Sequence, residues 1–337
     1  YLKRVWFSNG IHHHYSYLKF QPGFTREFLL KETEKLDMSD FLLTQEELVE
    51  IIFNPNVMPK RVNLTDGEDL LLTSSCNYYA EGITTAEAET FYANLKTQAD
   101  KKRPPMIGLN SRLERNADGT LYENTYRSGG LYGNAIDRIC NALNTARQYA
   151  ENDKQKVVID KLVEFYISGN LKDFDDYAIL WVGETLGEID FTNGFTEVYG
   201  DPLGLKASWE GYVNIIDHEA TRRAKALSDN AEWFERNSPI DSRFKKTECR
   251  GVSAKVINAA ILGGDLYPSS AIGINLPNSN WIREEYGSKS VTIANLTHAY
   301  NIAAKGSGMR EEFVIDDETK KLLERYGDIC DELHTDL

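Results

Sequence analysis

The chain has 337 residues, with 38 Lys and Arg against 52 Asp and Glu for a formal charge of −14; that excess of acid disfavours a nucleic-acid binder, which holds phosphate with clustered basic side chains. Hydrophobic residues make up 41% and charged residues 27%, which is too apolar for a disordered chain, and no apolar run approaches the roughly 18 residues that span a bilayer. Cys76, Cys140, Cys249 and Cys330 lie far apart with no CxxC pair, which argues against a disulfide framework or an all-cysteine zinc site.

The length fits two domains or one large one. The start, YLKRVWFSNGIHHHY, reads like the inside of a domain, and the end, CDELHTDL, follows a helical pattern without a stop signal; the chain is therefore expected to be an internal piece of a longer polypeptide. In chain order, Thr44 with Glu47 three residues on predicts a capped helix whose apolar face is Leu48, Ile51 and Ile52. Residues 84–102 repeat the pattern, with Thr84 or Thr85 as cap, Glu87 in the first turn and Pro104-Pro105 as stop. Residues 106–133 alternate apolar and polar around Asp118-Gly119 and predict one exposed hairpin. Helical spacing then runs through 134–186, with a further helix from Phe174 to Glu188 capped by Asp173. A short strand is expected at 195–199, helix over about 209–236, β-branched character over 252–262, a loop and strand segment around 271–277, and helix over 291–304 and 317–333. Absence of a fixed repeat disfavours a solenoid.

The run His12-His13-His14 invites a metal reading, but adjacent histidines fan apart in either a strand or a helix, so a hydrogen-bonded structural or cleft role is expected. His218-Glu219 begins like HExxH and fails at Arg222. No GxSxG elbow, P-loop or dinucleotide fingerprint is present. Two segments remain. In GFTEVYGDPLG, Glu197 and Tyr199 point the same way if the run is extended; a carboxylate beside a phenol suits an ammonium group, while the plain reading is a corner with a surface acid. In GINLPN, Gly273, Asn275 and Asn278 lie on an extended segment to which a peptide can add as a strand, while the plain reading is an Asn/Pro turn.

Together with NGIHHHY at 9–15, WEG at 209–211 and GINLPN at 273–278, the GFTEVYGDPLG segment at 194–204 resembles the dipeptidyl peptidase III family of zinc exopeptidases, particularly its bacterial members. The resemblance covers most of the chain. It implies that Glu197, Tyr199, Gly273, Asn275 and Asn278 bind the N-terminal end of a short peptide and that Glu210 lines the same cleft. It implies a mainly helical α+β fold of two lobes, with a small β-barrel core wrapped by helices. Residues 1–217 and 259–304 would belong to the lower lobe, 218–258 to part of a helical upper lobe, and 305–337 to the start of the catalytic lobe. The family's HExxGH helix and later EExR glutamate do not occur in these residues, so the zinc ligands are expected beyond Leu337 and no catalytic or metal residue on this chain. The isolated chain is thus expected to be inactive and to need the rest of its polypeptide as partner. Short peptides are the expected ligands, with neither nucleic acid nor membrane, in a cytoplasmic setting. The competing reading from another class is a non-catalytic peptide-binding module.

Overall fold

A computed structural model describes residues 1–37, 39, 41–245, 247, 254–267, 270–304, 314, 316–322 and 324–326. In chain order come α1 (Leu2–Phe7), α2 (Arg26–Thr33), α3 (Gln45–Phe53), α4 (Thr85–Gln98), β1 (Ser111–Arg115), β2 (Leu121–Thr125), α5 (Gly133–Ala146), α6 (Asp153–Ser168) and α7 (Leu171–Gly183). They are followed by β3 (Ile189–Glu197), β4 (Ser208–Ile216), α8 (His218–Asp229), α9 (Ala231–Asn237), β5 (Ala254–Gly264), β6 (Gly273–Leu276), α10 (Asn280–Glu285), β7 (Lys289–Ile293) and α11 (Ala294–Ala304). The architecture is α+β. Among the described residues no helix is long and apolar enough to cross a membrane.

Helices α3 and α4 start where local chemistry dictates. Thr44 and Thr84 each accept from the backbone N–H three residues on, and Glu47 and Glu87 reach back to the cap, closing two capping boxes that satisfy otherwise orphaned donors. The α7 boundary differs from expectation. Gly169 ends α6 in the left-handed conformation at φ 69°, and Asn170, not Asp173, caps α7 by accepting from Lys172 N–H. Asp173 instead accepts from the Ser168 hydroxyl, and the helix stops at Gly183.

The hairpin forms at its predicted turn, with Ser111 opposite Thr125 and Arg115 opposite Leu121. It is not the exposed element expected: Leu113 is fully buried and Ser111 nearly so, and the two strands make a sheet of their own. The main sheet has five strands in the order β3-β4-β5-β7-β6, antiparallel except for the parallel β5–β7 pair. Among the described residues it is open, with β3 and β6 at its edges.

Two segments expected as helix are strands. Residues 208–216 form β4, which buries Glu210, Tyr212 and Asn214 on one face, and helix begins only at His218, where the Asp217 side chain accepts from Ala220 N–H. Residues 289–293 form β7, whose Lys289, Val291 and Ile293 point inward, and helix follows from Ala294. The strand expected at 195–199 is the end of the nine-residue β3. Of the helix expected over 317–333, residues 317–322 and 324–326 are helical; the rest, with most of 305–337, lies outside the described residues, as do 252, 253, Cys249 and Cys330.

The largest core cluster joins α5, α6 and α7 to the inner face of the sheet. Val158, Leu162, Phe165 and Tyr166 of α6 recur at helical spacing and meet Tyr177, Trp181, Phe195 and Leu276 there. Beneath β6 lies a buried ion pair. Lys289 Nζ donates to Asp190 Oδ2 at 2.8 Å, with the two side chains 8% and 12% exposed; Trp181 Nε1 donates to the other oxygen at 3.0 Å, and the ammonium stands 4.4 Å from the Trp181 ring centre.

Candidate active site

A cavity of about 580 Å³ opens at the ends of β3, β4, β5 and β6, and all six residues singled out in the sequence line it: Glu197, Tyr199, Glu210, Gly273, Asn275 and Asn278. Its wall also contains His14, from the histidine run for which a structural or cleft role was expected, and Arg61 and Asp265, which carry no motif.

The acids are brought together by strand register. On β4, Glu210 pairs with Gly194 of β3 on one side and Gly264 of β5 on the other, and Asp265 follows β5 directly, its N–H donating to Trp209 O at 3.0 Å. A bulge at Thr196 breaks the β3–β4 register between Phe195 and Glu197. Without the extra residue the two side chains would share a face. With it, Phe195 enters the core while Glu197 lines the cavity. Tyr199 lies beyond the strand, in a turn, 74% exposed, so the shared face expected from an extended run is not how the two come together. The Tyr17 hydroxyl holds that turn by donating to Tyr199 O at 3.1 Å. Asp201 organises the loop behind it, accepting from the backbone N–H groups of Leu203, Leu205 and Lys206 and from the Tyr79 hydroxyl. The loop is locked further by Lys206, which is fully buried and donates to Tyr92 Oη at 2.6 Å.

Burial, reinforced by repulsion from Glu197 and Asp265, pushes the Glu210 carboxyl up to about 8. Arg61 offsets this charge only in part, its Nη2 standing 3.8 Å from Asp265 Oδ2. At neutral pH the cavity therefore holds carboxylates of which one retains its proton, an arrangement suited to a cation.

On the opposite wall Asn275 is exposed on the edge strand β6, opposite Ser290 of β7. Gly273 keeps that edge flat, since a Cβ there would meet Val291 O at 3.3 Å. Asn278 is partly buried and donates to Thr196 O at 3.3 Å and to Glu197 Oε1 at 3.2 Å, so it orients the acid across the cavity.

The histidine run splits as its spacing requires. His12 is buried and donates from Nε2 to Met58 O at 2.8 Å; His13 Nδ1 accepts from the N–H groups of Tyr15 and Ser16 at 3.2 Å each; His14 reaches the cavity. Burial and then the neighbouring His13 lower the His14 pKa. The segment is anchored by Asn9, whose Nδ2 donates to Gly264 O at 3.0 Å and Tyr267 O at 2.9 Å. Among the described residues no three His, Cys, Asp or Glu side chains are placed to hold a metal ion.

The description "Peptidase family M49" belongs to the family model that matches residues 73–335, and the chain belongs to this family, that of the dipeptidyl peptidase III enzymes. It is 30% identical over 173 residues to dipeptidyl peptidase 3 of Dictyostelium discoideum, covering 50% of this chain and 24% of the relative. Over 198 residues it is 24% identical to dipeptidyl peptidase 3 of Rattus norvegicus, covering 58% and 26%, and over 227 residues 25% identical to Nudix hydrolase 3 of Arabidopsis thaliana, covering 66% and 29%. DPP III from Caldithrix abyssi shares the fold at a TM-score of 0.58 and 22% identity, over 81% of this chain and 51% of that one. Dipeptidyl-peptidase III from Corallococcus sp. strain EGB does so at 0.55 and 20%, over 81% and 49%. The match thus spans about a quarter of the curated relatives and about half of the solved structures.

Proposed function

We propose that this chain forms the peptide-binding cleft of a zinc-dependent dipeptidyl peptidase, which releases dipeptides from the N-terminus of short peptides. The reading rests on one observation above all: three carboxylates, Glu197, Glu210 and Asp265, line a single cavity bounded by an open strand edge. A peptide's free amine is a cation near neutral pH, and desolvating it requires carboxylates. Glu197, held by Asn278, is the principal partner of that amine, and Tyr199 supplies a further acceptor. Glu210 supplies charge on demand by releasing its proton when the ammonium arrives. The peptide backbone adds along β6, where Asn275 is free to bond it. Clamping the amine at a fixed distance from the reacting carbonyl is what would set cleavage two residues in.

The family's zinc would polarise that carbonyl and activate a water. The described residues offer no donor set that fits it, so no step on this chain is derived through the metal. The two-lobed arrangement around a small barrel, divided at 217, 258 and 304, belongs to the same proposal.

Calorimetric titration of the chain with tetra-alanine and with its N-acetylated form tests the clamp. The free-amine peptide is expected to bind at least about 10-fold more tightly, and Glu197→Gln to remove most of that preference, since a hydrogen bond to a charged group is worth about 1.5–3 kcal/mol. Equal affinity of the parent chain for both peptides would sink the reading.

A further inference from the structure

Behind β6, on the side away from the peptide cavity, lies a second and much smaller cavity of about 40 Å³. Four of its lining residues, Tyr177, Thr192, Thr196 and Ser279, are each more than nine-tenths buried. The hydroxyls of Thr196 and Ser279 have no hydrogen-bond partner within the protein, whereas Tyr177 lies against the Asn193 backbone and Thr192 against the Tyr212 hydroxyl. Buried hydroxyls left unpaired are rare because each forfeits its bonds to water; two on the wall of one small and otherwise mostly apolar space mark where a polar guest would sit. The Asp175 carboxyl lines the same space, and burial, with Asp176 nearby, pushes it up to about 7. A volume of this size accommodates about two or three waters, each of which makes about three hydrogen bonds.

The cavity touches the peptide site through its wall. Leu276 and Asn278 line both spaces, Thr196 is the bulge residue that re-aims Glu197, and its carbonyl receives Asn278 Nδ2. We infer that this cavity is an internal water site whose two or three ordered waters bridge Thr196, Ser279 and Asp175 and so hold the Asn278–Glu197 contact from behind. The waters are structural members of the amine clamp, and Thr196 and Ser279 are positioning residues. The effect on peptide binding rests on the cleft reading above; the water site itself does not.

The sign of a stability change decides it. Thr196→Val keeps the shape and removes the hydroxyl. If that hydroxyl binds water, the variant should unfold at a lower urea concentration than the parent, and Thr196→Ser should restore most of the loss. Ser279→Ala should behave like Thr196→Val. Oxygen-17 magnetic relaxation should count fewer long-lived waters in both variants, and tetra-alanine should bind them roughly 3- to 10-fold more weakly, with Thr196→Ser again close to the parent. An unfolding midpoint raised by Thr196→Val, or an unchanged count of long-lived waters, would overturn the inference. So would a midpoint raised by potassium but not by choline at equal ionic strength, which would place an alkali cation there. Failure of the parent chain to bind tetra-alanine would remove the cleft reading and its positioning consequence, while the midpoint and the relaxation count would still decide the water site.

Discussion

Asp190→Ala is expected to lower the unfolding free energy by about 3–5 kcal/mol, the range for removing one partner of a buried ion pair. The variant strands the Lys289 ammonium, which burial already disfavours and which Asp190 sustains, and it leaves Trp181 Nε1 without its acceptor. Replacing both ends, Asp190→Leu with Lys289→Met, should recover much of the loss, because the desolvation of two charges then disappears along with their attraction. Urea denaturation of the three variants measures this. A loss below about 1 kcal/mol in Asp190→Ala would mean that water reaches the pair and screens it. The result matters for the site because Lys289 pairs with Leu276 of β6, so the ion pair fixes the strand edge along which a peptide would lie.

Glu210→Gln is expected to stabilise the chain, by about 2–4 kcal/mol at pH 8 and by little at pH 4. In the fold this carboxyl keeps its proton up to about pH 8, against an ordinary value of 4.5. Between those values the unfolded chain binds fewer protons than the folded one, so stability falls as pH rises. Glutamine carries no proton to lose, and the variant's stability should be flatter across that window. Urea midpoints at pH 4, 6 and 8 report it; parallel pH profiles for parent and variant would show that Glu210 ionises freely. The same site predicts that peptide binding at pH 7 releases a proton from Glu210, read as a dependence of the titration heat on the buffer's ionisation enthalpy.

Legibility in the sequence followed how local the cause was. The α3 and α4 caps and the Asp118-Gly119 turn are set within four residues, and they stand where expected. Strand β4 reads as helix in the sequence because its buried face carries Glu210 and Asn214 beside Tyr212, so the period-2 signal is polar where a core strand is apolar. The next turn, rich in Arg and Ala, extended the helical reading backward. β7 hid in the same way, with Lys289 as the first inward residue of its face. Glu197, Tyr199, Glu210, Gly273, Asn275 and Asn278 were found through short motifs, and the cavity gathers them all. Asp265 and Arg61 carry no motif, and Asp265 reaches the cavity because the sheet order sets the end of β5 beside β4; His14 comes with the NGIHHHY segment, which Asn9 ties to that end.

That tie separates its two ends by 255 positions. At about 5–20 residues per second, a growing chain completes Asn9 roughly 10–50 s before Gly264 exists to receive it. Strand β4 ends at Ile216 and β5 begins at Ala254, so for roughly 2–8 s of that interval β4 has no β5 beside it and its unpaired edge stands open to other strands. The acidic pocket thus closes only once the chain has passed Asn278, and ribosome-bound chains halted near residue 250 should need a holding chaperone that chains extending past that point do not.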